Sequence, residues 1–253
     1  MVITDEARTA LVVGATGGIG EACARSLHAA GYTLLLNARR SAPLRELSEQ
    51  LGASYVACDG NDEKQIRELI GTATNGIDVV VHAAGILKGR AAREQSVETF
   101  DEVIAANLRS VYAVVHASLP AVNVGGRIIL VSSTTATRPM RGLTAYSAAK
   151  AGMNAMAEAL AAEVEIDGIN VSLVSPGPIS TPMMDQSVNA FSALPADDVG
   201  GVVAWLAALP PRMVVPDILF RAPYRGPFAE MAGGGGSAGQ SIAEARALKA
   251  ARA

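Results

Sequence analysis

The stretch LVVGATGGIGEACARSLHAAG (residues 11–31) decides the fold. It reads as a strand, a glycine turn and a helix, the first half of a βαβ unit. Gly14, Gly18 and Gly20 are spaced G-x-x-x-G-x-G. In that pattern Gly14 permits the sharp turn, Gly18 lets the backbone approach a pyrophosphate, and Gly20 lets helix and strand pack closely. The helix N-terminus then presents free N–H groups and its positive dipole end to phosphates, with Thr16 and Ile19 in the same loop. A tight β–α turn without a ligand is the alternative. The place of the loop in the first βαβ unit favours a nucleotide.

Working outward, short β-rich runs alternate with helical patterns. The runs are 9–15, 33–38, 54–58, 77–83, 127–133, 170–175 and, less regularly, 213–220, and the longest helical stretches fall around 97–119 and 145–166. Apolar runs bounded by Gly, Asn and Asp and alternating with helices predict right-handed βαβ units and a parallel sheet. The composition agrees: 50% of the 253 residues are hydrophobic but only 4% are aromatic, so Ala, Val, Leu and Ile must build strands buried on both faces. The expected organisation is one α/β domain over residues 1–228 and a flexible Gly/Ala-rich tail over 229–253.

The same numbers exclude function classes. A net charge of −3 offers no footprint for nucleic acid. No apolar run approaches the roughly 18 residues of a membrane span. The first ten residues carry two acids and no apolar core of a secretory signal. Cys23 and Cys58 match no metal-ligand spacing, and the three histidines form no ligand set, so no metal is expected and a cytoplasmic setting is.

The second strand ends in LLLNARRSAPL (34–44). A carboxylate about 20 residues past the glycines would hydrogen-bond the free ribose 2′-OH of NAD. Ala38 stands there instead, followed by Arg39 and Arg40, which can grip a 2′-phosphate through charge-assisted bonds. NADP(H) is therefore expected ahead of NAD(H). A solvated basic turn is the plainer alternative.

In AYSAAK (145–150), Tyr146 and Lys150 lie four residues apart and share a helix face. An adjacent ammonium favours the phenolate, so Lys150 is expected to lower the pKa of Tyr146 and make it a general acid or base. Upstream, IILVSSTTA ends a strand with Ser132 and Ser133. A hydroxyl beyond the carboxyl end of a parallel strand sits where such sheets bind ligands, and Ser133 could donate to a carbonyl oxygen.

With VGATGGIG, HAAG, AANLRSVY, VSSTTA, YSAAK and VSPGPISTPM in that order, residues 8 to 220 resemble the short-chain dehydrogenase/reductase family. The resemblance implies a Rossmann-like doubly wound sheet and an NADP-dependent oxidoreductase that interconverts a carbonyl and an alcohol on a small organic substrate. It implies Tyr146 as proton donor or acceptor, Ser133 orienting the carbonyl, Lys150 on the nicotinamide ribose, and Asn107 in a water-linked relay behind the lysine. It further implies Asp59 and Gly60 near the adenine, Ala84 and Gly85 lining the cofactor, and Pro176, Gly177, Ile179 and Thr181 holding the nicotinamide end. For Asp59 a helix N-cap ahead of NDEKQIRELI is an equal alternative. Pairing of the long helices into a homodimer or homotetramer is also implied.

The chain departs from the family at several points. Val13 replaces a usual Thr, and His82 and Ala83 stand where two asparagines are common; His82 reads as structural. The usual glycine-rich last strand ending gives way to VVPDILFRAPYRGPF. The loop after Thr181 carries Met183, Met184 and Phe191, which would make an adaptable apolar lid. Competing readings are reduction of an imine or activated alkene, and a non-catalytic NAD(P)-binding redox sensor, which would have no need of Asn107, Ser133, Tyr146 and Lys150 together.

Overall fold

The computed structural model describes residues 8–184 and 193–223. Their strands are β1 (Thr9–Val13), β2 (Thr33–Ala38), β3 (Ser54–Ala57), β4 (Ile77–His82), β5 (Val122–Val131), β6 (Asn170–Pro176) and β9 (Asp217–Phe220), with a short pair β7 (Ile179–Ser180) and β8 (Leu194–Pro195). The seven longer strands form one sheet in the order β3-β2-β1-β4-β5-β6-β9, and every pairing is parallel. The chain runs outward from β1 to β3, then returns to lay β4 on the other side of β1. That reversal opens a crevice at the carboxyl ends of β1 and β4, where doubly wound sheets bind ligands.

Alternation along the strands feeds two cores. Leu11, Leu35, Val80, Ile128, Leu130 and Leu173 point to one face, where they meet helices α3 (Glu63–Ile70), α5 (Ser110–Ser118) and α6 (Thr144–Val164). Their neighbours Val12, Leu34, Leu36, Val81 and Ile129 point to the other, against α1 (Gly18–Ala29), α2 (Ser41–Leu51) and α7 (Ala196–Ala208). Helix α4 (Val97–Ile104) continues into α5 through one π turn, Ala105–Arg109.

Several element boundaries differ from expectation. β1 stops at Val13, because Gly14 turns at φ 86° and the N–H groups of Gly14 and Ala15 both donate to the Asn37 carbonyl, at 2.8 and 2.9 Å. β5 begins at Val122, five residues earlier than its apolar core suggests, with a register shift between Ile77 and Val79 of its neighbour. The single helix expected over 97–119 is two helices around the π turn. Phe191 and the tail 229–253 lie outside the described residues.

Helices α1 and α7 touch through glycine. A Cβ on Gly200 would stand 2.6 Å from the Ala22 carbonyl oxygen and 2.7 Å from Ser26 Oγ, whereas one on Gly201 would meet nothing within 4 Å. Gly200→Ala should therefore destabilise the fold by about 1–3 kcal/mol through overpacking. Gly201→Ala, in the same helix, should stabilise by up to about 1 kcal/mol through helix propensity. Urea unfolding of both variants checks the pair; equal effects would contradict the packing described.

Candidate active site

The glycine turn is shaped by contacts on three sides. A Cβ on Gly14 would lie 2.5 Å from the Ala84 nitrogen, so the turn can approach the segment after β4 only with glycine there. A Cβ on Gly20 would fall 2.1 Å from the Gly14 carbonyl oxygen, which lets α1 start directly under the turn. Gly18 faces Thr181, whose Cγ2 would be 2.7 Å from a Cβ at that position. It is Gly14 and Gly17 that line the crevice, together with Thr16. Gly17 caps α1 with no side-chain bond, leaving the first N–H groups of the helix open.

The crevice is a cleft of about 200 Å³ that also touches Ala38, Arg39, Arg40, Asp59, Gly60, Ala84 and Gly85. No carboxylate ends β2. Arg40 folds back over the glycine turn, its Nη2 donating to the Thr16 carbonyl at 2.6 Å, while Arg39 stays exposed. Asp59 does not cap α3. Asp62 does, accepting from the Gln65 N–H at 3.2 Å. Asp59 instead accepts from the Asn61 backbone and side-chain amides at 2.9 and 2.7 Å, and these bonds, helped by Arg39 and Arg109, hold its carboxyl below the ordinary range. Gly17, Asn37, Cys58 and Ser110 also line the cleft, although their types carry no ligand pattern in the sequence. Asn37 could have been noticed as the one polar residue in an apolar run. Its Nδ2 donates to the carbonyls of Val56 and Cys58, both at 3.2 Å, and so fixes the end of β3.

Ser133, Tyr146 and Lys150 converge at the carboxyl end of β5. Ser133 caps a 3-10 turn (Thr134–Ala136), with its Oγ accepting from the Thr135 N–H at 3.2 Å. Its hydroxyl also accepts from Thr135 Oγ1 at 3.0 Å and acts on the Tyr146 phenol, on the first turn of α6, in favour of the phenolate. Lys150, one turn further, is buried with Nζ donating to the Val131 carbonyl at 2.8 Å and lying 5.8 Å from the Tyr146 ring centroid.

The electrostatics differ from the sequence expectation. Tyr146 is raised above its ordinary pKa, because burial disfavours the phenolate more than the Ser133 bond favours it. Lys150 is not what governs the phenol here. Burial pushes the Lys150 ammonium itself down to about 7. Two adjacent groups are thus each poised toward their neutral form.

Pro176, Gly177, Ile179 and Thr181 are not part of the cleft lining. Pro176 ends β6, and the Gly177 N–H donates to the Phe220 carbonyl at 2.8 Å. Ile179 is buried on β7, and Thr181 carries this segment onto Gly18.

Residues 8–191 match the short chain dehydrogenase family. The chain belongs to that family and is an oxidoreductase. The 3-oxoacyl-(acyl-carrier-protein) reductase of Escherichia coli is 32% identical over 221 residues, 80% of this chain and 91% of the relative. An uncharacterized oxidoreductase of Staphylococcus epidermidis is 28% identical over 222 residues, 85% of this chain and 96% of the relative. Among solved structures, a short chain dehydrogenase of Burkholderia cenocepacia in complex with NADP superposes with a TM-score of 0.78 at 26% identity, covering 84% of this chain and 96% of that one. An alcohol dehydrogenase of Thermococcus sibiricus complexed with 5-hydroxy-NADP gives 0.78 at 27% identity, covering 88% and 99%. No helix among the described residues is long and apolar enough to cross a membrane.

A dinucleotide fits what this dehydrogenase presents. The open start of α1, the missing acid at Ala38 and the exposed Arg39 suit a phosphate-rich ligand. Asn107 adds a second sign. The π turn sends its Nδ2 to the carbonyls of Val103 and Ile86, both at 2.9 Å, and leaves its buried Oδ1 without a partner among the described residues, 2.4 Å from where a Cβ on Gly85 would stand.

His82 replaces the amide usual in the family, and its chemistry is set by Ser110. The Ser110 hydroxyl donates to the Ala106 carbonyl at 2.9 Å, so toward His82 Nε2, 3.2 Å away, it accepts. The imidazole thus carries its proton on Nε2, and buried Nδ1 has no partner among the described residues. Complete burial, reinforced by Lys150, pulls the His82 pKa from 6.5 to about 3. The folded value lies below the unfolded one, so between about 6.5 and 3 the unfolded chain binds the extra proton and stability falls as pH falls. His82 should contribute a slope approaching about 1.4 kcal/mol per pH unit in that window. Urea unfolding from pH 7 to pH 4 should show a flatter acid limb for His82→Gln than for wild type; parallel limbs would contradict a buried neutral imidazole.

Proposed function

We propose that this chain is an NADP(H)-dependent oxidoreductase that interconverts a carbonyl and an alcohol on a small organic substrate. The observation that carries the reading is the convergence of Ser133, Tyr146 and Lys150 at the carboxyl end of β5, in a sheet whose cleft is edged by Arg39. The NADP-bound relative from Burkholderia cenocepacia and the alcohol dehydrogenase and 3-oxoacyl reductase relatives support it. The chemistry that a nicotinamide dinucleotide supplies in such a crevice is hydride donation to a carbonyl carbon, or its reverse.

The chain's own groups do the rest. Arg39 meets the 2′-phosphate, since its side chain is exposed where Arg40 is engaged with Thr16. Asp59 and Gly60 form the adenine side of the cleft, and Ala84 and Gly85 its floor. Pro176, Gly177, Ile179 and Thr181 frame the nicotinamide end. Ser133 donates to the substrate oxygen, and Tyr146 gives that oxygen its proton in reduction and removes it in oxidation. A phenol kept neutral by burial is suited to the giving role. Lys150 holds the ribose, and Asn107, through its unpartnered Oδ1, orders water behind the lysine. The exposed apolar side chains of Phe100 and Tyr112 on α4 and α5 favour a homo-oligomer, dimer or tetramer. Two buried free cysteines suit a reducing, cytoplasmic setting.

Tyr146→Phe should lower turnover of a carbonyl substrate by about 10²–10⁴-fold with little change in NADP(H) affinity. Lys150→Ala should lower both. Following NADPH absorbance over a carbonyl panel, with fluorescence titration of the cofactor, separates the two; undiminished turnover in Tyr146→Phe would overturn the acid–base role.

Arg39→Ala should weaken NADP(H) by roughly ten- to a hundredfold, as expected for about 1.5–3 kcal/mol in one charged hydrogen bond. NAD(H) affinity should move little. Equal affinities for the two cofactors in both proteins would overturn the NADP assignment.

A further inference from the structure

Two segments meet at the carboxyl end of the sheet: 86–95, which follows β4, and 137–143, which leads into α6. They are joined where the Arg90 N–H donates to the Gly142 carbonyl at 2.8 Å, and Gly89 lies against Leu143, whose Cδ2 would be 3.2 Å from an added Cβ. Lys88, Arg90, Arg93, Arg138 and Arg141 all sit on these segments. Lys88 is paired with Glu102, Arg93 with Glu94 at 3.6 Å, and Arg138 has an interaction of its own. Arg90 and Arg141 are different. Both are exposed, and neither guanidinium has an ion pair or hydrogen bond among the described residues.

Their segments lead up to an open helix start: Arg141 precedes Thr144 in the chain, and the Arg90 backbone is bonded to Gly142. Leu143 caps α6 without a side-chain bond, and among the described residues the N–H groups of its first turn carry no cap and the buried Oγ of Ser147 in that turn lacks a partner. Tyr146 is the third residue of the same helix, five past Arg141, a separation of at most roughly 18 Å for any chain path. Two exposed arginines without ion pairs among the described residues therefore sit on joined segments that lead into a positive helix end and Tyr146, in a chain whose net charge is −3.

We propose that Arg90 and Arg141, with the N-terminus of α6, bind an anionic group of the substrate, so that carbonyl compounds bearing a carboxylate or phosphate are preferred over neutral ones. Arginine suits this task because its planar fork matches either oxyanion in a bidentate manner. The inference rests on the carbonyl–alcohol reading and specifies the substrate class of the same site.

The test compares 4-oxopentanoate, its methyl ester and 4-oxopentyl phosphate as substrates with NADPH, for wild type and for Arg90→Gln/Arg141→Gln. Wild type should favour an anion over the ester by at least about tenfold in kcat/KM, mainly through KM, and the double variant should lose most of that preference. Whether carboxylate or phosphate leads identifies which anion the site was built for. Equal use of acid and ester by wild type, or a preference unchanged in the variant, overturns the anion site while leaving the oxidoreductase reading intact. Isothermal titration of 4-oxopentanoate separates the other failure. Binding by wild type that the variant loses, without turnover of any carbonyl, keeps the anion site and overturns the carbonyl chemistry. Neither binding nor turnover overturns both.

Discussion

Lys150 is held inside the protein with its Nζ donating to the Val131 carbonyl, 2.8 Å away, and much of the site follows from that bond. It ties α6 to the carboxyl end of β5, so the helix carrying Tyr146 is registered against the strand that delivers Ser133. A buried ammonium is expensive unless it is well partnered, and one carbonyl compensates only partly. The outcome is a lysine whose pKa falls to about 7 and a neighbouring phenol raised rather than lowered by its surroundings. Desolvation thus sets the proton affinities of both groups.

The lining of the crevice itself depends on close backbone approach. Gly14 abuts Ala84, and Gly85 leaves room for Asn107 Oδ1, so β1, β4 and the π turn meet with no side chains between them. His82 lies under this junction and shares the Ser110 hydroxyl with the Ala106 carbonyl of the π turn. Its burial ties acid stability to the same place that positions Asn107.

The alternation of apolar runs and helices over residues 9–220 was enough to anticipate a parallel sheet flanked by helices, because strands buried on both faces leave a plain hydropathy record. Tyr146 and Lys150 were legible because four-residue spacing fixes a shared helix face. Other features were hidden for physical reasons. The π turn at Ala105–Arg109 inserts one residue into a continuous apolar helix pattern and leaves no compositional mark. The bond from Arg40 to the Thr16 carbonyl joins residues 24 apart, which no local pattern encodes. Asp59 and Asp62 are both plausible caps by type, and only the backbone path chose Asp62. The sign of the Tyr146 shift was misjudged because spacing gives proximity to Lys150 but says nothing about how deeply both are buried.

The most direct test of this account is the titration of Lys150 itself. Heteronuclear NMR of the side-chain carbon next to Nζ in lysine-labelled protein, assigned against Lys150→Met and recorded without cofactor, reports its charge state across pH. The account predicts a midpoint near 7, some three units below an ordinary lysine. A midpoint near 10.5 would mean that the ammonium is solvated, and desolvation would then not be what tunes the tyrosine–lysine pair.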